Sequence, residues 1–247
     1  MAETADVARL ARLLRESSHA VALTGAGIST ESGLPDFRSP GTGLWETVDP
    51  MAYLSTEALE RRPELFYSTG MELLGALREA QPNRAHLALA SLEKAGRLKA
   101  VITQNIDGLH HKAGSQRVFE VHGHLRSGHC QRCRSTVAFS VLADKARAGE
   151  VPPRCDRCGG VLRPDVVLFG DPMPEAFDLA AREVLGSDLL LVVGSSLQVA
   201  PVAYLPQYAT NLAIVNLTPT PYDGLAGVVI HDQAGPVIEA LAQAVLS

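Results

Sequence analysis

The chain has 247 residues, of which 46% are hydrophobic and 20% are charged, and its formal net charge is −5. These values exclude an intrinsically disordered chain, and the length is sufficient for one α/β domain with an insertion. The net negative charge gives no overall sign of binding to nucleic acid or to an anionic membrane, and no direct nucleic-acid site is evident.

The N-terminal stretch predicts an amphipathic packing helix over residues 4–17. Val7, Leu10 and Leu14 share one helical face, and the first residues are acidic, unlike the basic start of a signal peptide. No apolar run approaches the roughly 20 residues that span a bilayer. We therefore expect a cytoplasmic protein with no membrane partner.

Short apolar runs alternate with helical patterns along the rest of the chain. The runs are continuously apolar, which is typical of a parallel sheet covered by helices on both faces. This order predicts an α/β fold with an open doubly wound sheet, whose ligands bind beyond the carboxyl ends of the strands. The predicted strands are 19–25, 99–105, 117–123, 165–170, 188–196, 211–217 and 227–232, and the predicted helices after the first are 63–80, 83–96, 174–185 and 235–246. Residues 38–97 and 124–163 do not fit this alternation and predict a second, smaller lobe.

A glycine-rich loop, TGAGISTESGLPDFR at 24–38, follows the first predicted strand. A Gly-x-Gly turn after a buried strand indicates close approach of the backbone to a large anion, most often the pyrophosphate of a dinucleotide. The third glycine of the hydride-transfer fingerprint would fall at Thr30, and no strand ending in an acid follows about twenty residues later. A dinucleotide site is therefore expected, but a simple dehydrogenase is not favoured.

The four cysteines predict a metal site. Cys130, Cys133, Cys155 and Cys158 form two C-x2-C pairs separated by 21 residues, and no cysteine is left over. Four thiolates fill the tetrahedral coordination sphere of zinc, so we expect one structural Zn²⁺ with no open position. Two disulfides are the alternative, which the absence of an export signal disfavours. His129, beside Cys130, is expected to be a bystander.

The segment that holds these cysteines is locally basic. Residues 124–163 contain eight Lys or Arg against three Asp or Glu. A solvated surface and a docking site for acidic partners are both compatible with this pattern.

Polar residues follow two predicted strands at the points where the strands end. Gln104, Asn105 and Asp107 close the strand at 99–105, and His122 closes the strand at 117–123. Because these ends face the same crevice as the glycine-rich loop, the four side chains can surround whatever the loop binds. A neutral imidazole is suited to the role of general base, although a single histidine is more often structural.

Taken together, the motifs resemble those of the sirtuins, the NAD-dependent protein lysine deacylases. GAGIST, GLPDFR, TQNID, VHG, the paired C-x2-C motifs, FGDPMP, GSSLQVAP and VNL occur in the family's order, from about residue 17 to the C-terminus. The resemblance implies one catalytic domain over 1–247. It implies a Rossmann-like NAD-binding lobe (1–37, 98–123 and 164–247), a helical module (38–97) and a zinc-ribbon module (124–163).

The resemblance also implies the site residues. His122 and Asn105 would be catalytic, with His122 taking a proton from a ribose hydroxyl, and Asp107 would accept from the carboxamide of NAD. Val167, Phe169 and Gly170 would flank the acetyl-lysine of a protein or peptide, which would add as a strand between 167–170 and 197–200. The residues implied for NAD binding are Gly25, Ala26, Gly27, Thr30, Asp36, Phe37, Arg38, Gln104, Asn105, Ile106, Asp107, Gly194, Ser195, Ser196, Asn216, Leu217, Gln233 and Ala234.

Two departures from the family pattern concern the substrate. Asp171 stands where many sirtuins have glutamate. Sirtuins that prefer succinyl groups have a Tyr and an Arg in the small lobe, and here Tyr67 is followed by Gly70 in place of the Arg. An acidic acyl chain would be buried without a cation, so acetyl or another uncharged acyl group is favoured.

The sequence therefore predicts an NAD-dependent deacetylase that releases nicotinamide and O-acetyl-ADP-ribose. Transfer of ADP-ribose to protein is a second enzymatic alternative, because another nucleophile can capture the same activated sugar. A non-catalytic NAD-sensing adaptor is the alternative from a different class.

Overall fold

The computed structural model describes residues 4–36, 49–70, 77 and 79–247. Within them, a parallel sheet of six strands has the order β3-β2-β1-β7-β8-β9, and an antiparallel sheet of three strands has the order β5-β4-β6. The strands are β1 (Ala20–Thr24), β2 (Ala100–Thr103), β3 (Val118–Glu120), β4 (Gly123–Cys130), β5 (Thr136–Ala138), β6 (Leu162–Val166), β7 (Leu189–Val193), β8 (Leu212–Val215) and β9 (Val228–Ile230).

The helices cover both faces of the parallel sheet. Those in the described part of the chain are α1 (Thr4–Glu16), α2 (Pro50–Tyr53), α3 (Thr56–Arg61), α4 (Pro63–Leu65), α5 (Arg84–Lys94), α6 (Leu109–Ala113), α7 (Phe139–Arg147), α8 (Glu175–Leu185) and α9 (Ala234–Leu246). Short 3₁₀ segments lie at Ala26–Ser32, Val202–Tyr208 and Asp223–Leu225, and a π-helical turn lies at Phe66–Gly70.

Alternate residues of each strand enter two separate cores. On one face, Ala22 and Leu191 pack with the apolar sides of α1, α5 and α9. On the other face, Leu23 and Val192 pack with α8 and the segment Val202–Tyr208. Both faces are therefore buried, which explains why the strands are continuously apolar and confirms the doubly wound α/β fold.

The sheet order reverses at β1. This strand lies between β2, which follows it in the chain, and β7, which comes much later. In open parallel sheets, such a switch point leaves a crevice at the carboxyl ends of the two central strands. The glycine-rich loop follows β1 and therefore lies at this crevice.

The predicted strand at 165–170 is largely wrong. The extended region is β6, which ends at Val166 and pairs antiparallel with β4 in the smaller sheet. Beyond it, Phe169 forms only an isolated bridge with Ser55. An apolar run of this length does not indicate which sheet it joins, because pairing partners are set by the whole fold.

The predicted helix at 63–80 is shorter and less regular than expected. It begins as α4 and passes into the π-helical turn at Phe66–Gly70, and residues 71–76 and 78 lie outside the described residues. The other predicted helices are observed within one or two residues of their expected ends.

No helix in the described ranges is long and apolar enough to cross a membrane. The chain divisions of the three modules stay a prediction, and the two sheets are the observed frame around which the site is built.

Candidate active site

A cleft of about 820 Å³ lies at the carboxyl ends of the parallel strands. This volume is in the upper part of the range typical of small-molecule and cofactor sites. Its walls are the loops that follow β1, β2, β3, β7, β8 and β9, together with segment 166–171 at the end of β6. The predicted site residues that line it are Gly25, Ala26, Gly27, Thr30, Asp36, Gln104, Asn105, Ile106, Asp107, His122, Val167, Phe169, Gly170, Gly194, Ser195, Ser196, Asn216, Leu217, Gln233 and Ala234. Phe37 and Arg38 lie outside the described residues.

The glycines of the first loop interlock with Gly194 at the end of β7. Gly27 N–H donates to the carbonyl of Gly194 at 2.9 Å, and a Cβ on Gly25 would lie 2.8 Å from that same oxygen. Gly194 has φ +63°, and its own Cβ would lie 2.3 Å from Ile28 N. Glycine is therefore needed here for the contact between the backbone of the loop and the backbone at Gly194, as well as for the approach of a ligand.

A buried polar network fixes the loop that follows β2. Asn105 Nδ2 donates to Gly25 O and to Ser29 Oγ, both at 3.1 Å. Ser29 Oγ donates in turn to Asp107 Oδ2 at 2.8 Å, and Leu109 N–H donates to Asp107 Oδ1 at 2.9 Å. Burial raises the pKa of Asp107, and these two donors oppose the rise. The arrangement holds an amide and a carboxyl group in fixed positions on the cleft wall.

Two buried histidines lie next to this network, and His86 Nε2 is 3.5 Å from Ser29 Oγ. The rings of His86 and His110 lie 4.9 Å apart, and His110 Nε2 is 2.9 Å from Thr24 Oγ1. Burial lowers the pKa of His86 to about 4 and holds the pKa of His110 well below its usual value. Sequence reasoning missed both residues. The signal for His86 is a polar side chain on the otherwise apolar face of α5, whereas the short helix LHHKA carries no such signal for His110.

His122 is held as a neutral base. Its Nδ1 is 3.0 Å from the carbonyl oxygen of Gln104, which can only accept, so Nδ1 carries the proton and Nε2 carries the lone pair. Burial lowers the pKa of His122, and the hydrogen bond to Gln104 partly opposes this. An imidazole on the cleft wall is therefore ready to take a proton near neutral pH.

The segment after β6 forms the opposite wall. Val167 N–H donates to His122 O at 2.9 Å, which ties the segment to the base. Phe169 N–H donates to Leu54 O, and Phe169 O accepts from Thr56 N–H, both at 3.0 Å. This wall is thus shared between the smaller sheet and the first short helices.

The four cysteines lie together at the far end of the smaller sheet. Their Sγ atoms all lie within 4.8 Å of one another, with Cys130–Cys158 at 3.5 Å and Cys133–Cys155 at 3.8 Å. Tetrahedral zinc with Zn–S bonds of about 2.3 Å places its sulfurs about 3.8 Å apart, so the cluster fits one Zn²⁺. The Ser135 hydroxyl lowers the pKa of Cys133 and Cys155, whereas hydrogen bonds with the neighbouring cysteines raise the pKa of Cys158 to about 11.

His129 is not needed as a metal ligand, since its Nδ1 lies 2.6 Å from Asp165 Oδ1.

Fold and site together define the class as a dinucleotide-binding α/β protein of the Rossmann-like type with a zinc-ribbon module.

Comparison with known proteins gives the family. A model of the Sir2 family matches residues 25–201. The NAD-dependent protein deacetylase 2 of Caldanaerobacter subterraneus subsp. tengcongensis is 59% identical over 226 residues, which cover 92% of this chain and 90% of that protein. The chain belongs to the Sir2 family, which confirms the resemblance to the sirtuins.

Solved structures agree with this assignment. One described as the structural basis for the mechanism and regulation of Sir2 enzymes has a TM-score of 0.90 at 41% identity and covers 99% of both chains. A Sir2 structure with a p53 peptide and NAD+ has a TM-score of 0.87 at 36% identity, covering 95% of this chain and 96% of that one.

Proposed function

We propose that this protein is an NAD-dependent protein lysine deacetylase. It transfers the acetyl group of acetyl-lysine to ADP-ribose, consumes one water, and releases nicotinamide, O-acetyl-ADP-ribose and the free lysine side chain. The observation that carries the proposal is the neutral imidazole of His122, which lines the same cleft as the glycine-rich loop and the Asn105–Asp107 network. The similarity to deacetylases and to a Sir2 structure with NAD+ and peptide supports it.

The residues present fit NAD. The first loop and Gly194 offer backbone close to the cleft, and Ser195 and Asn216 provide polar groups at the end assigned to adenosine. Asp107 and Asn105 form the polar wall assigned to the nicotinamide end. When bound, NAD supplies an ADP-ribosyl group whose bond to nicotinamide can be broken.

Asp107 acts in this account as an orienting acceptor. Its carboxylate is fixed by Ser29 and Leu109, so it can receive an N–H of the carboxamide without moving. A fixed acceptor orients the ligand before the reaction and removes the entropy loss of a loose encounter.

His122 acts as the general base. With NAD and acyl-lysine bound, its Nε2 would take the proton of a ribose hydroxyl, whose oxygen would then attack the acyl carbon of the substrate. Nicotinamide and the lysine amine would be the leaving groups, and one water would be consumed overall. The Gln104 carbonyl holds the ring in the required tautomer and stabilises the imidazolium that forms. A positioned base of this kind contributes about 10² to 10⁴ in rate.

The acyl group is expected to be uncharged. Tyr67 is 3% exposed, and its hydroxyl donates to the carbonyl of Leu162, so that donor is occupied within the chain. Burial raises the pKa of Tyr67, which keeps its hydroxyl protonated in that bond. Position 70 is glycine in the sequence, so it supplies no cation for a carboxylate.

The four clustered cysteines hold one structural Zn²⁺ in this proposal. A cytoplasmic location is also proposed, because a site of four zinc-binding thiolates requires reduced cysteines. Acetyl-lysine proteins or peptides are the proposed partners, and the expectation of no direct nucleic-acid site stays a prediction.

The test is a complete product analysis. Purified protein is incubated with NAD and an acetyl-lysine peptide, and every product is weighed by mass spectrometry. Equal amounts of deacetylated peptide, nicotinamide and O-acetyl-ADP-ribose are expected. Label from NAD on protein would instead indicate ADP-ribosyl transfer, and NAD binding without any product would indicate a sensor.

A further inference from the structure

Arg163 and Asp171 form an ion pair beside the peptide-facing wall, and the proposed mechanism gives it no role. Arg163 Nη1 lies 3.1 Å from Asp171 Oδ1, and Nη2 lies 2.6 Å from Oδ2. The side chains are only 13% and 16% exposed. Two parallel bonds between a guanidinium and a carboxylate fix direction as well as distance.

The pair closes a loop around the wall segment. Arg163 belongs to β6, and Asp171 directly follows Gly170, so the bond joins the two ends of the segment that lines the cleft. Asp171 itself lines the cleft. The ion pair that closes this loop therefore lies at the cleft and not in the distant core.

The same pair also determines where backbone groups of the segment point. Asp171 Oδ2 accepts from Leu168 N–H at 2.8 Å, and Asp171 N–H donates to Leu168 O at 3.0 Å. Arg163 Nη2 donates to Val166 O at 3.1 Å. The groups on both sides of Val167 are thus bound to the ion pair.

The hydrogen bonds of the neighbouring residues complete this arrangement. Val167 N–H is bound to His122 O, and Phe169 is bound through both backbone groups to Leu54 and Thr56. A substrate strand therefore meets a segment whose direction is already fixed. Fixing it in advance removes an ordering cost from substrate binding.

A purely stabilising role explains the pair less well. Buried ion pairs contribute little net stability, because the loss of hydration offsets the attraction. In addition, Arg163 Nε is buried and has no hydrogen-bond partner within the described part of the chain, which is a cost that an apolar replacement would avoid.

We propose that the Arg163–Asp171 pair is a positioning element that holds 167–170 in the conformation that receives the acetyl-lysine peptide. The inference rests on the proposed function and deepens it, because it assigns a residue pair to peptide affinity. Asp171 and Arg163 are positioning residues that act through the backbone of the segment.

The test compares Asp171→Asn, Asp171→Glu and a matched control, Glu183→Gln. Asn keeps the size of the side chain and removes its charge, whereas Glu restores the charge. Glu183 lies on α8, away from the cleft, is 8% exposed and forms a similar paired contact with Arg117. For each protein, KM for peptide, KM for NAD, kcat and Tm are measured.

We expect Asp171→Asn to raise KM for the peptide about tenfold or more, a change typical of coupled neighbouring groups, with KM for NAD within about twofold. Asp171→Glu should recover most of the peptide affinity. Glu183→Gln should lower Tm and leave both KM values unchanged. The inference is overturned if peptide KM in Asp171→Asn stays within about twofold of wild type, if both KM values rise together, or if Glu183→Gln raises peptide KM equally.

A second variant covers the case in which Asp171→Asn does not fold. Arg163→Lys keeps the positive charge and loses the two-bond geometry, so it should also weaken peptide binding in a fluorescence anisotropy titration. Unchanged peptide affinity there would contradict the inference. Failure of the wild type to deacetylate would count against the proposed function, whereas this binding comparison would still decide the role of the pair.

Discussion

Replacing His122 by alanine tests the general-base assignment most directly. The side chain lines the cleft, and its hydrogen bond to Gln104 O leaves Nε2 as the acceptor. Loss of a positioned base costs about 10² to 10⁴ in rate, or about 3 to 5 kcal/mol in the activation barrier. We expect His122→Ala to lose turnover by this factor and to retain its fold and its affinity for NAD.

The pH dependence gives the same prediction a second readout. Burial places the pKa of His122 below its usual value, and only the neutral form can accept a proton. Activity of the wild type should therefore hold near neutral pH and fall as the pH drops through this lowered pKa. The residual activity of His122→Ala should lack that fall.

Deacetylated peptide is measured by mass spectrometry from about pH 5 to 8, and NAD affinity by calorimetry. His111→Ala is the control, since His111 is 41% exposed on α6 and pairs with Glu120. A rate for His122→Ala close to that of wild type would refute the assignment. An equal loss of rate in His111→Ala would show that the effect is not specific to the base.

Four further predictions follow from the same structure. Acetyl peptides should react faster than succinyl peptides in competition, and faster removal of succinyl would contradict the uncharged acyl pocket. Gly194→Ala should weaken NAD binding in calorimetry, because the new Cβ would lie 2.3 Å from Ile28 N, and unchanged affinity would be evidence against the interlocked loop. Cys133→Ser should lower both zinc content and Tm, and normal values of both would exclude the thiolate site. Burial lowers the pKa of His86 to about 4, whereas the same side chain in the unfolded chain has a pKa of about 6.5. The free energy of unfolding should therefore be highest above about pH 6.5 and decrease by about 3 kcal/mol as the pH falls toward 4. Denaturant titrations should show that His86→Gln removes this part of the pH dependence of the unfolding free energy. A pH dependence equal to that of wild type would argue against a buried neutral imidazole.

Much of the fold could be predicted because burial on both faces leaves a direct mark on the sequence. Strands such as β7 are wholly apolar, and α1 and α9 repeat their apolar residues at helical spacing. The smaller sheet leaves no such mark. Strand β4 mixes glycine, histidine, arginine and serine, because only part of it is buried and one end holds a metal ligand.

The site was predictable where its residues follow strand ends. Asn105 and His122 each stand two residues after the last residue of a strand, and the topology of a parallel sheet then places them in one crevice. The pairing of Arg163 with Asp171 was not predictable, because the two residues are eight positions apart across the end of β6 and the following loop, and no periodic pattern connects them. His86 and Ser29 likewise meet only through tertiary packing.

The two walls of the cleft differ in how they tolerate change. One wall is built from backbones of Gly25, Gly27 and Gly194 in direct contact, where even a methyl group has no room. The other wall, segment 167–170, is held by individual hydrogen bonds to Leu54, Thr56 and Asp171. A protein engineer who wishes to retarget the enzyme to new peptides should therefore randomise the side chains at Val167 and Phe169 of the second wall and keep Gly170 and the Arg163–Asp171 pair. Libraries that change the first wall should yield mostly inactive clones.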